Sequence, residues 1–591
     1  MDKRKKKLLS VYKKAGQAHV FKHYDGLSSE EKTLLLDQLE SIEVKNIATI
    51  LKSALNEEKA NANVQAVSGN IKPFSGEIGK SAEILDSTNE SGDTSNNKLT
   101  DLGLGAIRQN KVAAVLLAGG QGSRLGFDGP KGMYSIGLSS DATLFEMICK
   151  RILRLTQLAS NADVDGHGQQ AKARIPLYIM TSPMNHKETK EYFEAKDHFG
   201  MEPDDIILFP QGVLPCLSPE GKIILEAPYK CAMAPDGNGG IYPAMSKLGV
   251  IRDMKLRGVE HIHAFSVDNA LVRPADPAFI GYCIQQNADC GNKVLWKSDP
   301  AEKVGIIAEK GGKPCVVEYS ELSEEMASET EEGSDKLAFG AANICNHYYS
   351  LAFLQKKVIP NLGNMFHVAR KKIGAWDPDV MEAVTPNSNN GLKLESFIFD
   401  VFPLSKSMAI YEVDRTYEFA PVKNAPGSAS DSPDTARAMI SSASRKWLEK
   451  AGVIVSGDTA SDMCEISPLI SYGGEGLEGY VGKGGKIGED EIRCPFVLDA
   501  EGGVKQAPEP ENLALMISRS LTGLSGGGGA DGSTELMSDT FDGKKGGGDG
   551  SVVDDEKDEK DSEPYSIIDK LCSLPGSLAS SLRGWVWTWP E

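Results

Sequence analysis

The strongest chemical signature in the chain is Leu116-Leu117-Ala118-Gly119-Gly120-Gln121-Gly122-Ser123-Arg124-Leu125-Gly126, followed by Pro130-Lys131-Gly132. An apolar strand running into glycines lets the backbone approach a ligand closely, and its N–H groups can then face phosphate oxygens. Arg124 and Lys131 add fixed positive charge beside that loop. The Gly-Lys-Ser/Thr ending of a Walker A loop is missing, and the spacing departs from a dinucleotide fingerprint, which argues against hydride transfer. Taken alone, a Gly-rich stretch is also explained by a plain tight turn. Gln211 and Asp268 each follow an apolar run; alone, the first reads as a loop glutamine and the second as a helix cap or turn aspartate. His261 and His263 alternate on a predicted strand and share a face, but no third metal ligand lies nearby in sequence, so they read as core or surface histidines.

These residues need a scaffold. From Lys111 onward, short apolar runs at 112–117, 177–180, 206–209, 261–267 and 293–296 alternate with helical patterns, which predicts an α/β domain with a largely parallel sheet. Ligands of such sheets bind beyond the carboxyl ends of strands, so the loops after Leu117, Phe209 and Val267 are the places to look. Before this domain, Leu34, Leu35, Leu36, Leu39, Ile42 and Ile47 recur at helical spacing after the start signal Ser28-Ser29-Glu30-Glu31. The predicted organisation is a helical N-terminal unit at 1–58, a linker wrapping the core at 59–110, the main domain at 111–404 and a small β-rich C-terminal domain at 405–520. Residues 521–591 form an acidic, Gly-rich extension expected to be disordered, with a tail in which Trp585, Trp587 and Trp589 alternate.

Composition narrows the class. A formal net charge of -19 opposes general nucleic-acid binding, because a polyanion is repelled over most of the surface. The basic run Lys3 to Lys7 reads as the exposed face of a first helix. The ten cysteines contain no C-x-x-C pair, which suits reduced thiols. No apolar stretch approaches membrane-spanning length, and no signal-peptide core follows the charged start, so a soluble cytoplasmic protein is expected, as a monomer or weak dimer.

The phosphate loop and a series of further landmarks resemble the eukaryotic UDP-N-acetylglucosamine pyrophosphorylases. The landmarks are Gly16-Gln17-Ala18-His19, Pro210-Gln211-Gly212, Gly221 to Glu226, Ala234 to Gly240, Val267-Asp268-Asn269, Asp289-Cys290-Gly291, Val317 to Ser320, Asn343-Ile344, Phe397 to Asp400 and Pro421 to Ala425. They occur in family order from about residue 12 to about residue 445. The resemblance implies a Rossmann-like nucleotidyltransferase domain of GT-A type with a mixed, mostly parallel sheet. It implies an enzyme that joins UTP to N-acetylglucosamine 1-phosphate with release of pyrophosphate. A broader UDP-sugar pyrophosphorylase, taking N-acetylgalactosamine or glucose 1-phosphate, and a non-catalytic UDP-sugar sensor are the alternatives.

By the same resemblance, Leu117, Ala118, Gly119 and Gly120 take the phosphates, Gln211 offers its amide to the uracil imide edge, and Gly237 and Asn238 approach the nucleoside. Arg124, Lys131 and Lys423 neutralise charge during transfer, and Asp268 holds Mg2+. Gly305, Glu318, Tyr319, Asn343 and Phe397 face the sugar, with Asp400 a candidate second carboxylate. One departure from the family pattern is Phe339-Gly340-Ala341-Ala342-Asn343, with alanine where glycine is usual; its extra methyl is expected to narrow the sugar pocket.

Overall fold

A computed structural model of the chain describes residues 2–65, 71–87, 95–161, 172–457, 463–480, 491–493, 496–499 and 504–506. The Gly-rich acidic extension and the Trp-rich tail lie outside the described residues.

The central feature is an eleven-stranded sheet. Its strands are β1 (Ile71–Pro73), β2 (Ile78–Lys80), β3 (Val112–Leu117), β4 (Leu177–Thr181), β5 (Ile206–Pro210), β6 (His261–Ser266), β7 (Cys290–Trp296), β8 (Ile306–Lys310), β9 (Lys313–Val317), β10 (Ala341–Ser350) and β11 (Met408–Glu412). The order is β2-β11-β7-β10-β6-β3-β4-β5, with the β8–β9 hairpin attached through β10 and β1 added to β8. Neighbours from β6 to β5 are parallel, as are β2, β11 and β7, while β10 runs against both groups. The sheet is therefore mixed and mostly parallel, and it takes a strand, β11, from beyond residue 404.

β3 is buried at every position because helices cover both faces of the sheet. Ala114 and Leu116 pack with Phe145, Ile148 and Ile152 of the helix Leu144–Asn161. Val115 and Leu117 pack with Ile241 and Met245 of the helix Ile241–Lys247 on the other side. Alternation along one strand thus feeds two cores.

The predicted helical start is present as Asp2–Lys14, Ser29–Ser41 and Val44–Gln65. Ser28 accepts from the Glu31 N–H and the Glu31 carboxylate accepts from the Ser28 N–H, a reciprocal cap that fixes where the second helix begins. In the basic run, Arg4 pairs with Asp37 and Glu40, and Lys5 with Asp25. The Gln17 amide docks this unit: its Nε2 donates to Gly221 O at 2.7 Å and its Oε1 accepts from Ile223 N at 3.0 Å.

The stretch expected as a linker wrapping the core contributes β1 and β2 to the sheet and a helix, Ser95–Arg108, to its face. Edge strands need only a partner ladder, so few apolar residues suffice there. The helix lies directly on the helix Pro277–Gln285: a Cβ at Gly103 would stand 2.0 Å from Pro277 O, and one at Gly281 1.9 Å from Leu99 O. Only glycine permits that approach.

Beyond β11, the helix Pro433–Lys450 joins the main core through Ala436, Ile440 and Ala443, and a smaller cluster of Leu448, Val453, Cys464 and Ile466 through its far end. Small ladders 464–466, 496–498 and 504–506 complete the described C-terminal part. All eight described cysteines are free thiols. Among the described residues, no helix is long and apolar enough to cross a membrane.

Candidate active site

In the registers of the parallel strands, Ser266 pairs with Leu117, Leu117 with Met180 and Thr181 with Pro210. The carboxyl ends of β6, β3, β4 and β5 therefore form one edge, and every loop singled out for chemistry leaves from it. Because β10 is reversed, its beginning rather than its end reaches the same edge: Phe265 faces Asn346, and Trp296 faces Ala341.

The phosphate loop folds back on itself. Gly122 N donates to Gly129 O at 2.9 Å, and Lys131 N donates to Gly120 O at 3.1 Å, which brings the lysine over the glycines. Asn185, in the loop after β4, holds the loop from below: its Nδ2 donates to Ala118 O at 3.1 Å and its Oδ1 accepts from Ser182 N at 2.7 Å. Asn185 is completely buried. Sequence reasoning passed over it because the loop after Thr181 carries no glycine run or charge, although the strand-end rule applies to it equally.

Gln211 is buried, and its side chain stands against Gly119: a Cβ there would meet Gln211 Oε1 at 2.7 Å. The next residue touches the second loop, since Gly212 O accepts from Asp236 N at 3.3 Å. Asp236 is wedged between Gly212 and Gly240, where added Cβ atoms would meet its carboxyl oxygens at 2.4 and 1.9 Å. Burial pushes its carboxyl up to about 6, and its Oδ1 has no hydrogen-bond partner. Gly237 has φ of +86°, in the left-handed region, and a Cβ on it would strike Ser396 O at 2.2 Å. Asn238 Oδ1 accepts from Ile398 N at 3.0 Å, which ties this turn to the Phe397 segment. Asp400 accepts from Phe397 N at 2.6 Å and pairs with His367 at 2.9 Å. Both of its oxygens are thus engaged, Oδ2 by the backbone at Phe397 and Oδ1 by His367.

Charged groups gather around Lys131. The Lys131 ammonium donates to Val422 O at 3.0 Å, and Val422 N donates to Asp268 O at 2.8 Å. Burial lowers the Lys131 pKa; Asp268 opposes that shift, while Lys423 and Arg124 add to it, so all four groups share one field. Lys423 is exposed, with its ammonium 5.8 Å above the Phe419 ring, and Arg124 is exposed on the short turn Ser123–Leu125. No salt bridge or side-chain hydrogen bond engages the half-buried Asp268 carboxylate among the described residues. A strand-end carboxylate with open coordination positions suits magnesium, which takes one or two carboxylates and completes its shell with phosphate oxygens and water. The described residues contain no group of three metal-ligating side chains, so an all-protein cage is not what is offered.

The residues expected to face the sugar also come together in part. Asn343 N donates to Gly305 O at 2.9 Å, and a Cβ on Gly305 would lie 3.2 Å from Glu318 Oε1. Loss of solvent, then Glu321, push the Glu318 carboxyl up. Tyr319 is about half exposed at 47% beside it. Asn343 connects to the charged centre through Cys345, whose N donates to Asn343 Oδ1 at 3.1 Å and whose thiol feels Asp268 and Lys423. The expectation that Ala342 narrows the sugar pocket is corrected by strand alternation. Ala342 is buried with Leu295, Ile344 and Tyr348, on the face opposite Asn343, so its methyl points away. His261 and His263 hold no metal arrangement: His261 Nδ1 meets the Tyr348 hydroxyl at 2.8 Å, and His263, fully buried, pairs with Asn346 and is pushed down to about 4 by burial.

A mostly parallel α/β sheet whose strand ends carry a glycine loop, three cations and one open carboxylate defines a nucleotidyltransferase. The chain belongs to the family described as UTP--glucose-1-phosphate uridylyltransferase, whose model matches residues 45–475. It is 40% identical over 505 residues to the UDP-N-acetylhexosamine pyrophosphorylase-like protein 1 of Xenopus tropicalis, covering 82% of this chain and 95% of that protein. It is 39% identical to UDP-N-acetylglucosamine diphosphorylase 2 of Arabidopsis thaliana, covering 80% and 90% respectively. Among solved structures, the uridine diphosphate N-acetylglucosamine pyrophosphorylase of Trypanosoma brucei superposes with a TM-score of 0.69 at 30% identity, covering 81% of this chain and 94% of that one.

Proposed function

We propose that this chain transfers the uridylyl group of UTP to N-acetylglucosamine 1-phosphate, giving UDP-N-acetylglucosamine and pyrophosphate. The observation that carries the reading is the gathering of Asp268, Lys423 and Arg124 in the field of Lys131, beside a glycine loop. The names of the relatives support the choice of nucleotide and sugar.

In this reading Gln211 pairs with the imide edge of uracil while Gly237 lets the backbone close on the nucleoside. The backbone of Leu117 to Gly120 lies along the phosphates, and Lys131 neutralises them from the strand side. Asp268 would hold magnesium, which supplies charge neutralisation where two anionic phosphates must meet. Glu318, Asn343, Gly305, Tyr319 and Phe397 orient the sugar so that its phosphate oxygen lies in line with the α-phosphorus. That oxygen forms the new P–O bond as the bond to the β-phosphate oxygen breaks, and pyrophosphate leaves with the bonding pair. Lys423 and Arg124 stabilise the charge that develops on the two sides of the α-phosphorus. No side chain forms a covalent bond, and one phosphoanhydride replaces another, so the reaction runs readily in both directions.

A broader range of sugar 1-phosphates is the second reading, favoured by the Xenopus relative whose name specifies N-acetylhexosamine. Purified protein with magnesium, UTP and each sugar 1-phosphate, assayed for pyrophosphate release, separates the two. The expected outcome is turnover with UTP and a preference for N-acetylglucosamine 1-phosphate. Failure to use any uridine nucleotide, or full activity in Asp268→Asn, overturns the proposal.

A further inference from the structure

Immediately behind the Asp268 loop lies a set of five charges, three of them buried and two partly so, that the reaction itself does not use. Lys293 on β7 is fully buried and pairs with both Asp276 and Glu418, the latter at 2.6 Å. Arg273 reaches Glu418 at 3.5 Å and Glu83 at 2.7 Å. Such charges are costly to desolvate, and removing one partner leaves the others buried and uncompensated.

What depends on it is visible in the backbone. Glu418 ends the short helix Arg415–Glu418 and begins the segment that carries Lys423. Its carbonyl oxygen accepts from Asn269 Nδ2 at 2.7 Å. Asn269 Oδ1 accepts from Ala420 N at 2.9 Å and from Leu271 N at 3.2 Å. Ala270 N donates to Ala420 O at 2.9 Å, Asn269 forms a bridge with Pro421, and Val422 N donates to Asp268 O at 2.8 Å. The segment 418–422 is thus laced onto 268–271, with Lys423 following directly, and Lys131 caps the last rung through Val422 O.

We infer that Asn269, Glu418 and Lys293 are positioning residues for uridylyl transfer, setting the spacing between Asp268 and Lys423 without touching substrate. The Lys293–Glu418 pair pins one end of the segment in the core, and the Asn269 amide fixes its register. If the pin slips, Lys423 and Asp268 keep their chemistry but lose their common geometry, and a misplacement of an ångström at such a site is felt in the rate. This inference rests on the function proposed above.

The test is a double-mutant cycle. Asn269→Ala is expected to lower kcat about tenfold to a hundredfold with the KM for UTP within about threefold. In a Lys423→Ala or Asp268→Asn background it should cost less than about threefold, because one of the two groups whose spacing it sets is already gone. Glu418→Gln, which leaves Lys293 opposite Asp276 and Arg273 opposite Glu83, should lower kcat with the same non-additivity while melting remains cooperative; it carries the test if Asn269→Ala does not fold. Equal losses in both backgrounds, or single variants within about twofold of wild type, overturn the inference while wild-type turnover keeps the proposed function standing. Wild-type protein that releases no pyrophosphate overturns that function and this inference with it.

Discussion

At the ligand edge, Arg124 and Lys423 are exposed and Asp268 takes no side-chain partner among the described residues; just inward, Lys293, Arg273, Asp276, Glu418 and Glu83 are paired with one another. Both sets are charged and both lie under the same strand ends. The difference is what completes them. The inner set is paired within the protein, two cations against three carboxylates, whereas the outer set is left open to the charged substrates of the proposed reaction. Under the proposed function, partner status, more than charge or burial, would separate the groups that act from the groups that hold.

The largest effect that would break this comparison is on stability. Lys293→Met leaves Asp276 and Glu418 buried without their shared cation and should cost about 3–5 kcal/mol, read from the shift of a urea denaturation midpoint. Next, Lys423→Ala and Lys131→Ala should each cost about 2–4 kcal/mol in transition-state stabilisation, measured as kcat/KM, with Lys423→Ala leaving the melting temperature near that of wild type. A melting loss with unchanged turnover for Lys423→Ala would place it in the inner class.

Asp236 sharpens the contrast, since it is a buried carboxylate with no cation. Its folded value of about 6 lies above the ordinary 3.8, so the folded form keeps a proton that the unfolded chain loses. That contribution is fully present below about pH 4 and is lost as pH rises through about 6, a change on the order of 1–3 kcal/mol. Asp236→Asn should flatten the melting temperature between those pH values, and an unchanged slope would assign the slope to other groups. The smallest expected effect is at Gln211: Gln211→Ala should weaken UTP binding by about 1 kcal/mol or somewhat more, read by titration calorimetry.

Much of the frame was legible in advance because it is written in local pattern. The apolar runs at 112–117, 177–180 and 206–209 became β3, β4 and β5 almost residue for residue. The positioning of Asp268 was not legible, since Asn269 meets Glu418 across 149 residues and Lys293 meets it across 125. Isolated in sequence, each looks like an unremarkable polar residue. β10 was missed for a different reason: Ala-Ala-Asn-Ile-Cys-Asn-His-Tyr-Tyr-Ser has polar residues on both faces and no clean apolar run, so its orientation had no local signal. The consequence drawn from Ala342 failed on a question of parity, as a single step along a strand turns a methyl from one side of a sheet to the other.

The reversed strand has a further consequence. β7 leaves the ligand edge at Trp296 and β10 returns to it at Ala341, so everything between them, including Gly305 and Glu318, departs from and re-enters the sheet at the same rim. Residues 297–340 thus form one excursion from that rim, tied back to the sheet through β1 and β10, and exchanging its Gly305 and Glu318 surroundings with those of a relative of another sugar preference is expected to change which hexose phosphate is accepted more than it changes the use of UTP.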